Sequence, residues 1–542
     1  MERSILFRAF ADNPIVLRDL RATMRGTRAF WFQAVYLGLL GVLAVTGYAI
    51  STGQNLLGSI AVGDYGPRTF GIVDAQRQLQ QFYYFIFLTL AGLITLIAPA
   101  LTATSVSDER QRQSLDLLIT TPLSATEMLV GKLMSSLAFL GLLLALSLPA
   151  SALCVMLGGA TIGDMLRVYA LLAVDAVVLA AVGLYFSCAC KNSLHAVIWT
   201  YVSVIAFVGI TFVVGFLVGT NGNTSSVSDI FPMAAVGLLS PFAAVMPAAG
   251  RNIVLGPVAI PAAVAMLPAA FLAVRLLLTA AAYRFGTFGG ESGHSLRKQV
   301  LLTTGIVMLA FDYSIASKGG MLAYYFYTSD SDSVSPDRDS MIIGAMWMFL
   351  VGLFALALPF LPGLFVPVRA EDAPPGDAQA ARDNGYFSPG AMLLPRHAGA
   401  LPYFYAWLGV AVICLATGTF AGAGRYDHRT LQAVLAGAVY VAGAGTLAWG
   451  LSRLAARFIR AASSARALAF GLFVLFNALP ALPLSLIQMN ADDKPAIFMA
   501  WLGGPFLYEP FRDMGMISIL VSGSTALLIG LVVGIVSKPR KA

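Results

Sequence analysis

The side chain best placed to do chemistry in an unusual setting is Asp175, in the apolar run "LLAVDAVVLAAVG". A charge inside an apolar helix is costly, and such groups are usually paired or face water. Asp175 therefore qualifies for a translocation path, a proton-linked step or a helix–helix hydrogen bond. Arg275, in "FLAVRLLLTAAAY", lies close enough to an end of its run to extend inward to the interface, and His195 begins another run. Phosphate chemistry would need a glycine-rich loop ending in Gly-Lys-Ser or Gly-Lys-Thr. The candidate, Gly131-Lys132, is followed by Leu133 and has no glycine-rich run before it. The four cysteines (Cys154, Cys188, Cys190 and Cys414) lie in or beside apolar runs, without a second pair or a histidine at zinc spacing. The four histidines do not cluster, so no catalytic, metal or cofactor site is expected, and the chain reads as a non-enzyme.

Those residues are carried by a chain that lipid must solvate. Of 542 residues, 58% are hydrophobic and 11% charged, with a mean hydropathy of +0.79. Soluble domains carry about 25% charged residues. The apolar runs have the length of membrane helices, not of barrel strands. The expected fold is an all-α polytopic membrane protein with about twelve transmembrane helices. We place them at 30–50, 82–104, 132–157, 166–189, 194–219, 254–283, 300–318, 341–367, 402–422, 431–452, 467–489 and 514–536. The start, "MERSILFRAFADNP", lacks the pattern of a cleaved signal peptide, so the first span is expected to serve for insertion. The net charge of +7 is read through topology, not as a nucleic-acid signal.

Positive charge orients the set. The arm holding Arg3, Arg8, Arg18, Arg21, Arg25 and Arg28 is placed in the cytoplasm. The 284–299 loop, the 453–466 loop and the tail with Lys538, Arg540 and Lys541 then fall inside, and both termini are cytoplasmic. The acidic 319–340 loop falls outside, while Arg425 and Arg429 go against the rule. This parity requires that "IFPMAAVGLLSPFAAVMPAAG", residues 230–250, does not cross. With Pro232, Pro241 and Pro247 it reads as a broken, re-entrant segment on the outer side, lining a vestibule with Pro232, Ser240 and Pro241. Residues 369–398, rich in Pro, Ala, Gly and Asp at their start, read as a cytoplasmic linker. No repeat relates the two halves.

Two polar elements stand out. In "DNPIVLRDLRATMRGTRAFWF", Asn13 and Pro14 suit a helix start. Val16, Leu17, Leu20 and Met24 share one face, and Arg18, Arg21, Arg25 and Arg28 the next. This predicts an interfacial amphipathic helix leading into the aromatic belt Phe30-Trp31-Phe32. The second is "SDERQRQSLDLLITTPLSATEMLVGK", Ser107 to Lys132, an island with seven charged side chains. Ser105–Asp108 and Ser124–Glu127 match capping boxes, and Asp108 and Arg112 stand four apart, acid first. Leu115 and Leu118 form an apolar side, and Glu109, Arg112, Gln113 and Asp116 a polar one. Thr120-Thr121-Pro122 ends the helix, which would form a rigid lever between two spans.

The island resembles the loop between the second and third spans of type-2 ATP-binding-cassette (ABC) exporter permeases. The matching residues are Glu109, Arg110, Leu115, Leu117, Leu118, Thr120, Thr121, Pro122, Leu123, Ser124, Gly131 and Lys132; Gln113-Ser114 stands where Gly-Thr is common. "NPIVLRDLR" is similar to the elbow helix of that family, and "GLLSPFAAVMP" to its outer re-entrant helices, so the resemblance spans about residues 12–290. It implies an arm and elbow helix at 1–29 (Pro14, Arg18, Arg21, Arg25, Arg28) and a six-span permease unit at 30–290. Within that unit it implies a coupling helix at 107–123. Asp108, Glu109, Arg110, Arg112, Asp116, Leu118, Thr121 and Pro122 would transmit the motion of a separate ATPase. It further implies ATP and magnesium on that partner and none on this chain. A homodimer or a second permease would complete the complex, in the plasma (inner) membrane. Residues 300–542 would be a further six-span region. The rival reading is a secondary transporter driven by an ion gradient through Asp175.

Overall fold

A computed structural model describes residues 18, 27–51, 72–111, 125–156, 160–190, 192–219, 238–245, 252–255, 258–285, 296–309, 365, 400–422, 428–459, 462–478 and 513–537. Among them, six helices are long and apolar enough to cross a membrane, and four shorter apolar helices accompany them. The chain is thus a multi-pass, mainly helical membrane protein. It divides into two compact units, Met1–Phe288 and Gly289–Ala542.

In the first unit the helices are α1 (Thr27–Ser51), α2 (Ile72–Ala103), α3 (Ser107–Gln111), α4 (Ala125–Met156), α5 (Ile162–Ala189) and α6 (Ser193–Gly219). A short helix α7 (Pro241–Val245), a hairpin β1 (Asn252–Leu255) and β2 (Val258–Pro261), and helix α8 (Ala262–Phe285) follow. The described residues are otherwise helical, as an all-α membrane protein requires, and the hairpin corrects only the start of the span placed at 254–283. Strands pair antiparallel from Asn252–Pro261 to Leu255–Val258, and the helix starts only at Ala262. The sequence carries the reason: the β-branched residues Ile253, Val254, Val258 and Ile260 flank Gly256-Pro257, a turn pair that breaks a helix. Helix α2 begins ten residues before the predicted span. The predicted span at 341–367, apart from Phe365, and residues 310–318 lie outside the described residues, as does the 369–398 linker.

Helix α5 is the axis of this unit, buried on most sides by α2, α4, α6, α7 and α8. It runs parallel to α2. Thr102 Oγ1 donates to Ala180 O at 2.8 Å, and the Val106 amide donates to Ser187 Oγ at 2.9 Å. Gly183 permits that approach, because a Cβ there would fall 2.2 Å from Thr102 Oγ1 and 2.7 Å from Pro99 O. Gly183→Ala is therefore expected to destabilise the unit by about 1–3 kcal/mol through overpacking. Gly92→Ala, on the same helix pair but with nothing within 4 Å, is expected to be neutral or slightly stabilising. Thermal unfolding of the two purified variants compares them, and equal melting temperatures would refute the close-contact argument. Helix α4 is antiparallel to α5, with Ser147 and Ser151 hydroxyls 2.8 and 3.0 Å from Tyr169 OH. Helix α6 is antiparallel to α2, with Tyr201 OH donating to Leu96 O at 2.7 Å.

Helix α6 thus leaves the end where α2 and α5 finish, and α8 returns toward it. The stretch between them begins and ends on the opposite side. Its residues 238–245 are packed within the bundle: Leu238, Leu239 and Ala244 cluster with Leu171 and Val178 of α5 and Met266 and Ala270 of α8. This depth is mid-span on α5. Pro232 and residues 246–250 of the predicted re-entrant segment lie outside the described residues.

The second unit contains helical residues 296–309 and helices α9 (Ala400–Gly422), α10 (His428–Phe458), α11 (Ala462–Ala478) and α12 (Asp513–Val536). Trp407 Nε1 donates to Thr304 Oγ1 at 2.9 Å, and the Arg297 guanidinium lies 4.8 Å from the Tyr403 ring centroid. Helices α10 and α12 touch backbone to backbone. A Cβ at Gly443 would lie 2.1 Å from Gly523 O, and one at Gly450 would lie 2.5 Å from Gly530 O. Contacts that advance together in both sequences make the pair parallel, and their seven-residue spacing is that of a left-handed supercoil. The two helices consequently end on one side, the arrangement that the arginines flanking the α10–α11 connection and the basic tail require of each other.

Candidate functional site

The first turn of the charged island is fastened to the ends of four other elements. Glu109 Oε1 accepts from Lys132 Nζ at 2.8 Å and from Arg18 Nη2 at 3.2 Å. Lys132, on the second turn of α4, is 4% exposed, and it also donates to Ser105 O at 3.2 Å. The Arg110 guanidinium donates to Cys190 O at 3.3 Å and Cys188 O at 3.4 Å. It thereby satisfies carbonyls that the end of α5 leaves free, and its charge complements the negative end of the helix dipole. Ser193 at the start of α6 donates to Asp108 Oδ1. There the carboxylate lies at the positive end of α6. Ser187 Oγ accepts the amides of both Val106 and Ser107, two donors that a helix start leaves unpaired.

This arrangement corrects the capping box read at Ser105–Asp108. Ser105 Oγ donates to Thr102 O at 2.9 Å, and the Asp108 amide donates to Thr104 O at 2.9 Å. The chain turns continuously out of α2 through residues 104–106, so the backbone supplies the acceptor and the serine is left free to bond back. The reciprocal box that does form is Thr161–Asp164 at the start of α5, with Arg167 Nη2 on Asp164 Oδ1 at 2.9 Å. Its Thr-x-x-Asp spacing was legible in the sequence, but the acid is Asp in place of the usual Glu or Gln.

Asp108, Glu109 and Arg110 are thus brought together, and with them Arg18 of the expected elbow helix. Arg112, Asp116, Leu118, Thr121 and Pro122, and the pairing of Asp108 with Arg112, lie outside the described residues. So do Ser124, Pro14, Arg21 and Arg25, and the side chain of Arg28. Lys132, Ser187 and Ser193 are the partners that the sequence reading left out of the site. Lys132 had a usable signal, a lone cation inside an apolar helix, which requires a counter-charge. The serines gave none, since Ser in a membrane helix is common. Cys190 lies at this end as well. Burial pushes its thiol up, against the opposing pull of the Arg284 and Arg110 guanidiniums, so it is not an activated thiolate. The shared influence of Arg284 and Arg110 on it brings the end of α8 to the same side.

Asp175, Ser240 and Pro241 lie apart from this cluster, near the middle of α5. All three are buried. Among the described residues, neither Asp175 carboxyl oxygen and not the Ser240 hydroxyl has a hydrogen-bond partner. Among the described residues no group of His, Cys, Asp or Glu could hold a metal. The chain matches no protein-family model and no curated protein.

Proposed function

We propose that this chain is the membrane subunit of an ATP-driven exporter whose ATPase is a separate cytoplasmic chain. The observation that carries the proposal is the Arg18–Glu109–Lys132 ion network, with Asp108 and Arg110 beside it. A push on a solvated loop would be absorbed by its backbone. Here the island's first turn continues from α2 and is tied to α4 by Lys132, to α5 by Arg110 and to α6 by Asp108. Displacement of the island would move four spans together. In this reading Asp108, Glu109 and Arg110 are fasteners, and the docking face belongs to the residues beyond Gln111. The ATPase would hold ATP and magnesium, and a second copy of this chain or another permease would complete a complex with two ATPase sites in the plasma (inner) membrane.

The test is co-purification with the cognate ATPase and measurement of transport-coupled ATP hydrolysis in proteoliposomes. The double variant Glu109→Ala/Arg110→Ala is expected to lower coupled hydrolysis at least about tenfold, which corresponds to about 1.4 kcal/mol in the coupling step. Unchanged assembly and unchanged coupled hydrolysis would remove the coupling role. Complexes of one permease with one ATPase would remove the dimeric arrangement. A second reading, a carrier driven by an ion gradient, draws on the buried Asp175. Uptake into vesicles under a proton gradient, with no ATPase present, would favour it.

A further inference from the structure

Asp175 and Ser240 come from two different elements and meet one apolar cluster. Leu171, one turn before Asp175, and Val178, one turn after it, belong to the same buried cluster as Leu238 and Leu239, and Ser240 is the next residue. Asp175 and Ser240 are each 0% exposed. Their three side-chain oxygens have no hydrogen-bond partner among the described residues. Among the described residues, the surroundings contribute no charge. Of the elements packed on α5, α7 has no titratable side chain. Helix α2 brings Tyr83 and Tyr84, in the half of the bundle away from the charged island, where Phe87 stacks edge-on to Tyr169. Helix α4 brings Glu127 and Lys132, and α6 brings His195, all at the island end, while Tyr201 of α6 is bonded to Leu96 O. Helix α8 brings Arg275, on its exposed side, and Tyr283 and Arg284, at the island end. On α5 itself, Asp164, Arg167 and Tyr169 lie toward one end, and Tyr185 and Cys188 toward the other.

An ionised carboxylate in this cluster would be a charge with no counter-charge in a low-dielectric interior. The packing leaves a proton as the one cation that fits without rearrangement, since Leu172, Ala244 and Met266 around it are also 0% exposed. Ionisation then requires that water or a cation be let in. Of the elements around Asp175, the shortest is the five-residue α7 with its preceding turn, residues 238–245. Helices α2, α5 and α8 are each at least 24 residues long, so displacing any of them would disturb far more of the bundle. Moving the segment away would also release Ser240 to water.

We propose that Asp175 is a proton-binding site that latches residues 238–245 into the bundle, shut while the carboxyl holds its proton and released when the proton leaves. The inference does not depend on what drives transport. The sign follows from the closed state binding the proton more tightly than the open one. Acid favours the shut form, and rising pH favours the open form.

The experiment uses the full chain in lipid nanodiscs. Amide hydrogen exchange of peptides covering 238–245 is measured from pH 5.5 to 8.5 and corrected for the intrinsic pH dependence of exchange. In the wild type, protection of this segment is expected to fall by about tenfold or more across the range, while His428–Phe458 stays constant. Asp175→Asn is expected to hold the segment at its acid-form protection at every pH. Asp175→Ala serves the same purpose if the amide variant does not accumulate, because either side chain removes the titration. A flat wild-type profile overturns the proposal with no variant needed. A variant that keeps the wild-type pH dependence overturns it as well.

Discussion

Lys132→Met is expected to destabilise the first unit by about 3 kcal/mol and to abolish any activity that depends on the island. The ammonium is 4% exposed and lies 2.8 Å from Glu109 Oε1. Removing it leaves a carboxylate that is only 19% exposed, facing the more distant and half-exposed Arg18. Breaking a buried pair from one side costs about 3–5 kcal/mol, because the remaining charge keeps its desolvation penalty. Partial solvation of Glu109 and its Arg18 contact put the expected value at the lower end. The double variant Lys132→Met/Glu109→Gln removes both charges and is expected to recover much of the loss, and the two singles with the double form a thermodynamic cycle. Thermal unfolding in detergent reads the effect. A Lys132→Met protein that melts with the wild type would mean that the pair contributes nothing.

Gly523→Val and Gly530→Val are expected to unfold the second unit or to part α10 from α12, with losses above about 3 kcal/mol. A Cβ at Gly523 would lie 2.8 Å from the Tyr440 backbone nitrogen, and one at Gly530 would lie 2.5 Å from that of Leu447. These obstacles are backbone atoms, which no rotamer change can clear. Close helix approach through small residues is the means by which helices associate where lipid supplies no hydrophobic drive. Gly409→Ala and Gly471→Ala, each with nothing within 4 Å, provide the contrast. They should leave stability unchanged or raise it by about 0.5–1 kcal/mol. Limited proteolysis of the second unit alongside unfolding curves reads the difference. Equal resistance of the valine and alanine variants would show that the helices do not touch in this way.

The helices were legible where the sequence offered an unbroken apolar run. The predicted span at 166–189 lies within α5, and the one at 514–536 nearly matches α12, because membrane length and composition act locally. The start of α8 was misread because Asn252–Pro261 is apolar as well as β-branched, and hydropathy does not distinguish an apolar hairpin from a helix turn. The capping box at Ser105–Asp108 failed for another reason. Its residues fit the local rule, but the chain arrives there from α2 with a carbonyl already in place to accept the Asp108 amide.

The sequence by itself determined that lipid is the solvent, where most of the described helices run and that residues 107–132 are a charged interruption between two of them. Those properties follow from side-chain polarity summed over windows of 20 residues or so, which needs no knowledge of neighbours. Only the tertiary structure decided what the charges do. Glu109 meets Lys132 across 23 positions and Arg18 across 91, Arg110 meets the end of α5, and Asp175 meets no partner among the described residues. A side chain's polarity is its own, but whether that charge is neutralised, capped or stranded depends on which helix packs beside it. That is fixed by contacts such as Gly183 against Thr102, which no local window contains.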